Sequence, residues 1–157
     1  MQFDAQDYPY ASKRHVVYAR NGMVCAGNPT ATAAGLKTLL KGGNAVDAAV
    51  TVASTLPVVE PTGNGLGADC FAIIWYKGKM YGLNASGPAP KANSIAALKA
   101  RGYDKIPSYG VEPINVPGAV AGWMAMHERF GSLDLEEVMK PAIEYAENGF
   151  PVSPNIS

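Results

Sequence analysis

Few of the 157 residues are of types that do chemistry, and their spacing excludes more than it offers. The two histidines, His15 and His127, lie far apart. His127-Glu128-Arg129-Phe130-Gly131 begins like a helical zinc motif but has glycine where the second imidazole must stand, so no metal site is expected. His127 reads as a helix-surface residue instead. Gly63-Asn64-Gly65-Leu66-Gly67-Ala68 fits a dinucleotide-binding fingerprint by its letters. That chemistry needs a strand before the loop and a helix after it, whose N-terminus faces the pyrophosphate. Here an apolar helix comes first and a strand follows, so no cofactor is expected. Ser86, in Asn84-Ala85-Ser86-Gly87-Pro88, lacks the first glycine of a nucleophile elbow and leads into prolines rather than a helix. Glu136-Glu137, close after Asp134, are explained by the acidic first turn that a helix prefers. Cys25 and Cys70 lie in no CxxC pattern and read as small buried hydrophobes. No residue of the chain is expected to be catalytic.

Composition narrows the partners. Lys+Arg 13 against Asp+Glu 13 leaves no net charge, so the basic surplus that nucleic acid requires is missing. Charged residues are 17% of the chain, below the roughly 25% typical of soluble domains. Much of the surface is therefore expected to be covered, by the core or by a partner. Met1-Gln2-Phe3-Asp4-Ala5-Gln6-Asp7 has neither the basic nor the apolar region of a signal peptide. No window approaches the apolar length of a membrane span. The expectation is a cytoplasmic protein with no membrane or nucleic-acid partner.

The elements that must position these residues are short and closely punctuated, with Gly 17 and Pro 12 in the chain. Residues 1–22, with Tyr8, Pro9, Tyr10 and Lys13-Arg14, read as an irregular N-terminal arm, and 23–157 as the rest of the fold. Residues 23–26 suggest a buried strand. Asn28-Pro29-Thr30 offers cap residues for a helix over 31–40, which Lys41-Gly42-Gly43 would stop. Residues 45–56 carry one charge, Asp47, and predict a helix buried on all sides, ended by Pro57 and Pro61. A hairpin is expected from 70–76 and 80–84 across Lys77-Gly78-Lys79. Further helices are expected over 94–101, 118–130 and 135–148, the last in two pieces because Pro141 suits a first turn, not an interior. An isolated hairpin is marginal, so this α/β chain looks like part of something larger.

Four motifs in order give the sequence a likeness. Gly42-Gly43-Asn44-Ala45-Val46-Asp47-Ala48-Ala49 comes first, then Val58-Val59-Glu60-Pro61 with its glycine-rich loop. Val116-Pro117-Gly118-Ala119-Val120-Ala121-Gly122 is the third, and the stretch from Lys140-Pro141-Ala142 through Gly149-Phe150-Pro151-Val152-Ser153 the fourth. Together they resemble the gamma-glutamyltranspeptidase family of Ntn hydrolases from about Met23 onward.

The resemblance implies an α/β (α+β) fold, the N-terminal portion of an αββα sandwich, here helices plus a short antiparallel hairpin. It implies an autoprocessing zymogen cut into large and small subunits, whose new N-terminal threonine is the nucleophile and whose free amine is the base. The implied activity is transfer or hydrolysis of gamma-glutamyl groups through an acyl-enzyme. The family's threonine motif is absent, so the chain is expected to hold the first part of a large subunit and to be inert alone. Its implied partners are the small subunit or C-terminal remainder of the same precursor, and a small-molecule gamma-glutamyl or amide substrate. Alignment on Ala89-Pro90 puts Asn84 and Ser86 where the family has an aspartate and a carboxylate-binding arginine, making both candidate substrate-binding residues. Serine cannot grip a carboxylate as a guanidinium does. Arg101 or Lys91 could stand in, or the loop could belong to an acylase-type amide hydrolase with a non-glutamyl substrate. Ser86 also reads as a plain turn residue. The glycine-rich loop is expected to pack against the small subunit. Two further alternatives are a non-catalytic fragment that pairs with a separate small subunit, and an unrelated nucleotide-binding module.

Overall fold

The computed structural model describes residues 16–153. Among them five helices and one hairpin run in the order α1 Pro29–Leu40, α2 Ala45–Val59, β1 Cys70–Tyr76, β2 Lys79–Ala85, α3 Ile95–Ala100, α4 Ala119–Phe130 and α5 Leu135–Asn148. Helix α2 is the centre: α1, α4 and α5 all pack on it, and α4 carries the hairpin on its other side. Three of the five helix starts, those of α1, α2 and α3, follow from a local side-chain cap. The Asn28 side chain accepts from the Thr30 amide at 2.8 Å to open α1, and Ser94 Oγ accepts from the Ala97 amide at 3.2 Å to open α3. Helix α2 opens with a reciprocal capping box, the Asn44 side chain accepting from Asp47 N–H at 3.1 Å and Asp47 accepting from Asn44 N–H at 2.8 Å.

Thr51 ties three helices together. It is fully buried, its hydroxyl donates to the Val138 carbonyl of α5 at 3.0 Å, and it lies 2.9 Å from the Thr38 hydroxyl of α1. With its only proton on Val138, Thr51 Oγ1 accepts from Thr38. The apolar core is built from Val46, Val50, Ala119, Trp123, Met126, Phe130 and Val138. Tyr76 and Tyr81 meet Phe130 edge-on, centroids 5.4 and 5.0 Å apart, and so seat the hairpin on the end of α4.

The hairpin is antiparallel with Cys70 opposite Ala85 and Tyr76 opposite Lys79. Its two-residue turn has positive φ at both Lys77 (48°) and Gly78 (78°), the geometry whose twist matches paired strands. Alternation sends Ala72, Ile74, Tyr76, Tyr81 and Leu83 inward to the core. Outward face Phe71, Ile73, Trp75 and Met80, which are 66, 84, 72 and 66% exposed.

Several expectations are corrected. Residues 23–26 form no strand: they run beside α1 without a partner strand among the described residues, so Cys25 is exposed rather than a buried hydrophobe. Pro57 does not end α2, which continues to Val59. Val59 is 1% exposed and its carbonyl accepts from Asn28 Nδ2 at 3.3 Å, so packing holds the last turn in place. Nor is α2 buried on all sides, for Ala45 and Ala49 are exposed. Pro141 sits inside one continuous α5. Losing the bond to the Glu137 carbonyl costs about 3 kcal/mol, yet Val138 and Ala142, on either side, are 0 and 7% exposed against α2 and hold both halves on one axis. The arm over 1–22 lies largely outside the described residues, Tyr8, Pro9, Tyr10 and Lys13-Arg14 included; residues 16–22 carry no helix or strand.

Candidate functional site

Three segments meet where the hairpin ends: residues 68–69 leaving the glycine-rich loop, residues 84–88 leaving β2, and residues 115–118 entering α4. Gly118 and Ala119 N–H donate to the Ala68 carbonyl at 3.2 and 2.9 Å, so the start of α4 is satisfied by backbone. Val116 N–H donates to Pro88 at 3.0 Å. Asn115 Nδ2 reaches both the Ser86 carbonyl, at 2.6 Å, and Asp69 Oδ1, at 3.3 Å.

The approach is so close that only glycine fits on each side. A Cβ on Gly118 would lie 2.1 Å from the Ala85 carbonyl oxygen, and one on Gly87 1.7 Å from that of Val116. Gly87 also has φ +76°, a conformation that L side chains avoid. The Val116-Pro117-Gly118 motif therefore fixes where the 84–88 loop sits.

Asn84 and Ser86, the two residues singled out from sequence, are brought together. Asn84 Oδ1 accepts from the Ser86 N–H at 3.0 Å, an Asx turn closing the end of β2. The turn character expected for Ser86 is thus present, with Asn84 supplying the side chain. The Ser86 hydroxyl forms no hydrogen bond to a described residue. Both residues line an open groove of about 470 Å³ with Leu83, Pro88, Pro117, Gly118 and Ala121. Among the described residues, no charged side chain lines it. Arg101 is engaged elsewhere, 3.2 Å from Glu112 Oε1 and 3.3 Å from Asn93 Oδ1, and Lys91 is exposed.

Other candidates fall outside this groove. Burial pushes the Cys70 thiol up, which keeps it protonated and a poor nucleophile. His127 is half-buried rather than a plain surface residue, its Nε2 2.9 Å from the Leu133 carbonyl. His15 lies outside the described residues. Among the described residues there is no cluster of histidine, cysteine and carboxylate that could hold a metal ion, and no helix is long and apolar enough to cross a membrane. In the glycine-rich loop, a Cβ on Gly63 or Gly67 would meet nothing within 4 Å, so no described neighbour demands glycine at either position.

Asp47 has a role that its place in an apolar run did not suggest. Fully buried, it accepts from Ser132 Oγ at 2.5 Å and Ser132 N–H at 3.0 Å besides closing the capping box. Burial pulls its carboxyl up, but the hydrogen bonds from Ser132, Asn44 and Leu133 outweigh that and hold it below the usual carboxylate value. The signal was available: a lone acid three residues after a cap asparagine is a capping-box pattern. Asn115 gave no comparable signal, since the stretch around it reads only as loop.

Comparison with known proteins gives a consistent result. The gamma-glutamyltranspeptidase family model matches residues 31–157. A glutathione hydrolase-like YwrD proenzyme of Bacillus subtilis is 41% identical over 136 residues, covering 83% of this chain and 25% of that protein. The cephalosporin acylase of Bacillus halodurans superposes with TM-score 0.87 at 51% identity, covering 99% of this chain and 29% of the acylase chain. The gamma-glutamyltranspeptidase of Helicobacter pylori superposes with TM-score 0.79 at 35% identity, covering 89% of this chain and 41% of that one. The chain thus spans about a quarter of the length of the Bacillus subtilis relative.

Proposed function

Because the chain belongs to the gamma-glutamyltranspeptidase family of Ntn hydrolases, we propose that the whole protein transfers or hydrolyses gamma-glutamyl or related acyl groups at an amide bond. An N-terminal threonine, exposed by self-cleavage of the precursor C-terminal to this chain, attacks the carbonyl, and its own amine takes the proton. The acyl-enzyme is then released to water or an acceptor amine. This chain supplies one wall of the acyl site, the groove between residues 84–88 and the start of α4. The observation that carries the assignment is that loop, fixed by the Gly87–Gly118 contact and presenting the Asn84 and Ser86 side chains to an open groove. The remainder of the precursor covers the hairpin's outer face, where four large apolar side chains stand exposed in a row.

A second reading concerns the acyl group. With no cation lining the groove and Arg101 held by Glu112 and Asn93, none of the described residues grips an α-carboxylate. Charge-assisted hydrogen bonds contribute about 1.5–3 kcal/mol each, so their absence weakens preference for a free amino-acid end. The similarity to a cephalosporin acylase supports an acylase-type substrate of this kind.

The test uses the full-length gene product. Mass spectrometry should find two subunits, the smaller beginning with threonine; an intact precursor that never matures would sink the proposal. Kinetics on gamma-glutamyl-p-nitroanilide and butyryl-p-nitroanilide, which differ only in the α-amino and α-carboxylate groups, separate the readings. Similar kcat/KM for both supports the acylase reading, and a preference above about 100-fold for the glutamyl donor, near two charged hydrogen bonds, rejects it.

A further inference from the structure

We propose that Asn115 is a positioning residue for the acyl site: its side chain locks the peptide plane between Ser86 and Gly87 and so sets where the Ser86 hydroxyl points. The inference rests on reading the 84–88 groove as that site. The Ser86–Gly87 peptide is the soft joint of the loop, because Gly87 tolerates φ of either sign and its φ here is +76°. A plane beside such a glycine can turn over unless it and the plane before it are held.

Both are held, each by an asparagine. Asn84 Oδ1 accepts from the Ser86 amide at 3.0 Å, fixing the plane before Ser86. Asn115 Nδ2 donates to the Ser86 carbonyl at 2.6 Å, fixing the plane after it. The second proton of the same nitrogen points to Asp69 Oδ1 at 3.3 Å, and that acceptor orients the amide as a whole. A side chain with one donor could hold the carbonyl but would not be steered from the far side. Val116 N–H, bonded to Pro88 at 3.0 Å, brings the backbone of Asn115 within reach. Asn115 sits in no helix or strand and lines no part of the groove, so its contact with substrate is indirect.

The test compares wild type with Asn115→Ala and Asp69→Asn in the full-length protein. Steady-state kinetics on the two anilides are read beside hydrogen exchange of the peptide covering 84–90. Losing one hydrogen bond from the loop should raise KM about tenfold and speed exchange at 84–90 to the same degree, with kcat within about threefold of wild type. Asp69→Asn keeps an acceptor oxygen but loses the carboxylate charge, so its KM and exchange should fall between those of wild type and Asn115→Ala. A folded Asn115→Ala protein with unchanged KM and unchanged exchange overturns the proposal. So does a loss of kcat in step with thermal stability, which a structural defect alone would produce. Where Asn115→Ala does not fold, Asp69→Ala takes its place; it leaves the carbonyl bond and removes the orienting one, and unchanged KM and exchange overturn the proposal there too. If wild type turns over neither anilide, the proposed function has failed, while exchange at 84–90 still decides for or against Asn115.

Discussion

Gly118→Ala is the sharpest probe of how the groove is built. Gly118 has φ −117°, which alanine adopts freely, so the perturbation is steric alone. The added methyl would sit 2.1 Å from the Ala85 carbonyl oxygen and 2.7 Å from the Gly87 nitrogen. An ordinary carbon–oxygen contact is about 3.3–3.6 Å. The loop must therefore back away by about 1 Å, or the first turn of α4 must tilt. Overpacking of this kind costs about 1–3 kcal/mol. Moving away also breaks the geometry of the Asn115 and Val116 bonds to the loop, at 2.6 and 3.0 Å, because both come from the α4 side. If the loop positions substrate as proposed, a displacement near 1 Å lowers kcat/KM by about 100-fold. The assay is kcat/KM on whichever anilide wild type prefers, with mass spectrometry of self-cleavage as control for folding. A matured Gly118→Ala enzyme within threefold of wild type would refute the reasoning, since the contact would then have relaxed without moving the loop.

Three further outcomes follow from the core. Asp47→Ala should open the 131–133 loop: losing several charged hydrogen bonds at about 1.5–3 kcal/mol each should accelerate exchange of the Ser132 and Leu133 amides by at least about 100-fold, and unchanged exchange would discard the clamp. Since the folded carboxyl of Asp47 titrates below its ordinary value of 3.8, its stabilisation is full above that pH and is lost as pH falls through the lowered value; the wild-type minus Asp47→Ala difference in thermal midpoint should shrink only there. Thr51→Val should cost about 1–2 kcal/mol, kept low because the Thr38 hydroxyl still has the Ala34 carbonyl at 3.2 Å; a loss above 4 kcal/mol by chemical denaturation would mean the hydroxyl junction is wrongly assigned. Pro141→Ala should raise the thermal midpoint, restoring a donor for the Glu137 carbonyl, with the gain trimmed by about 0.4–1 kcal/mol as the unfolded chain regains freedom. A lowered midpoint would show that the proline ring itself packs.

What was legible in the sequence is what local chemistry decides. Asn28, Asn44 and Ser94 mark helix starts because their side chains satisfy amides two or three residues on, whatever else is nearby. The hairpin is legible from alternation and from Lys77-Gly78. Pro57 and Pro141 misled because their penalty is local, while Val59, Val138 and Ala142 are held by neighbours distant in sequence. Residues 23–26 misled for the converse reason: an apolar run makes a strand only where a second strand offers hydrogen bonds, and none of the described residues does. At the site, Asn84 and Ser86 stood out, but the knot behind them did not. Asn115 and Asp69 lie 46 residues apart, and Asp47 and Ser132 85 apart, so each pair acquires meaning only when the chain has folded.

The groove and the apolar strip on the hairpin are not independent features. Asn84 is paired across the ladder with Phe71, and the next outward pairs are Ile73 with Gly82 and Trp75 with Met80. The strip therefore runs straight into the residue that closes the Asx turn. A layer laid over Phe71, Ile73 and Trp75 passes directly above Asn84 and reaches the mouth of the groove. The inward face cannot play this part, since Ala72, Ile74 and Leu83 are already packed on the core. Under the proposed function, the same contact that takes the strip out of water also brings the missing wall, and with it the nucleophile, to the acyl site. Assembly and catalytic competence then depend on one surface. Replacing Ile73, 84% exposed and remote from the Asn115 knot, with lysine should impair maturation and activity together. A mature, fully active Ile73→Lys enzyme would break the link.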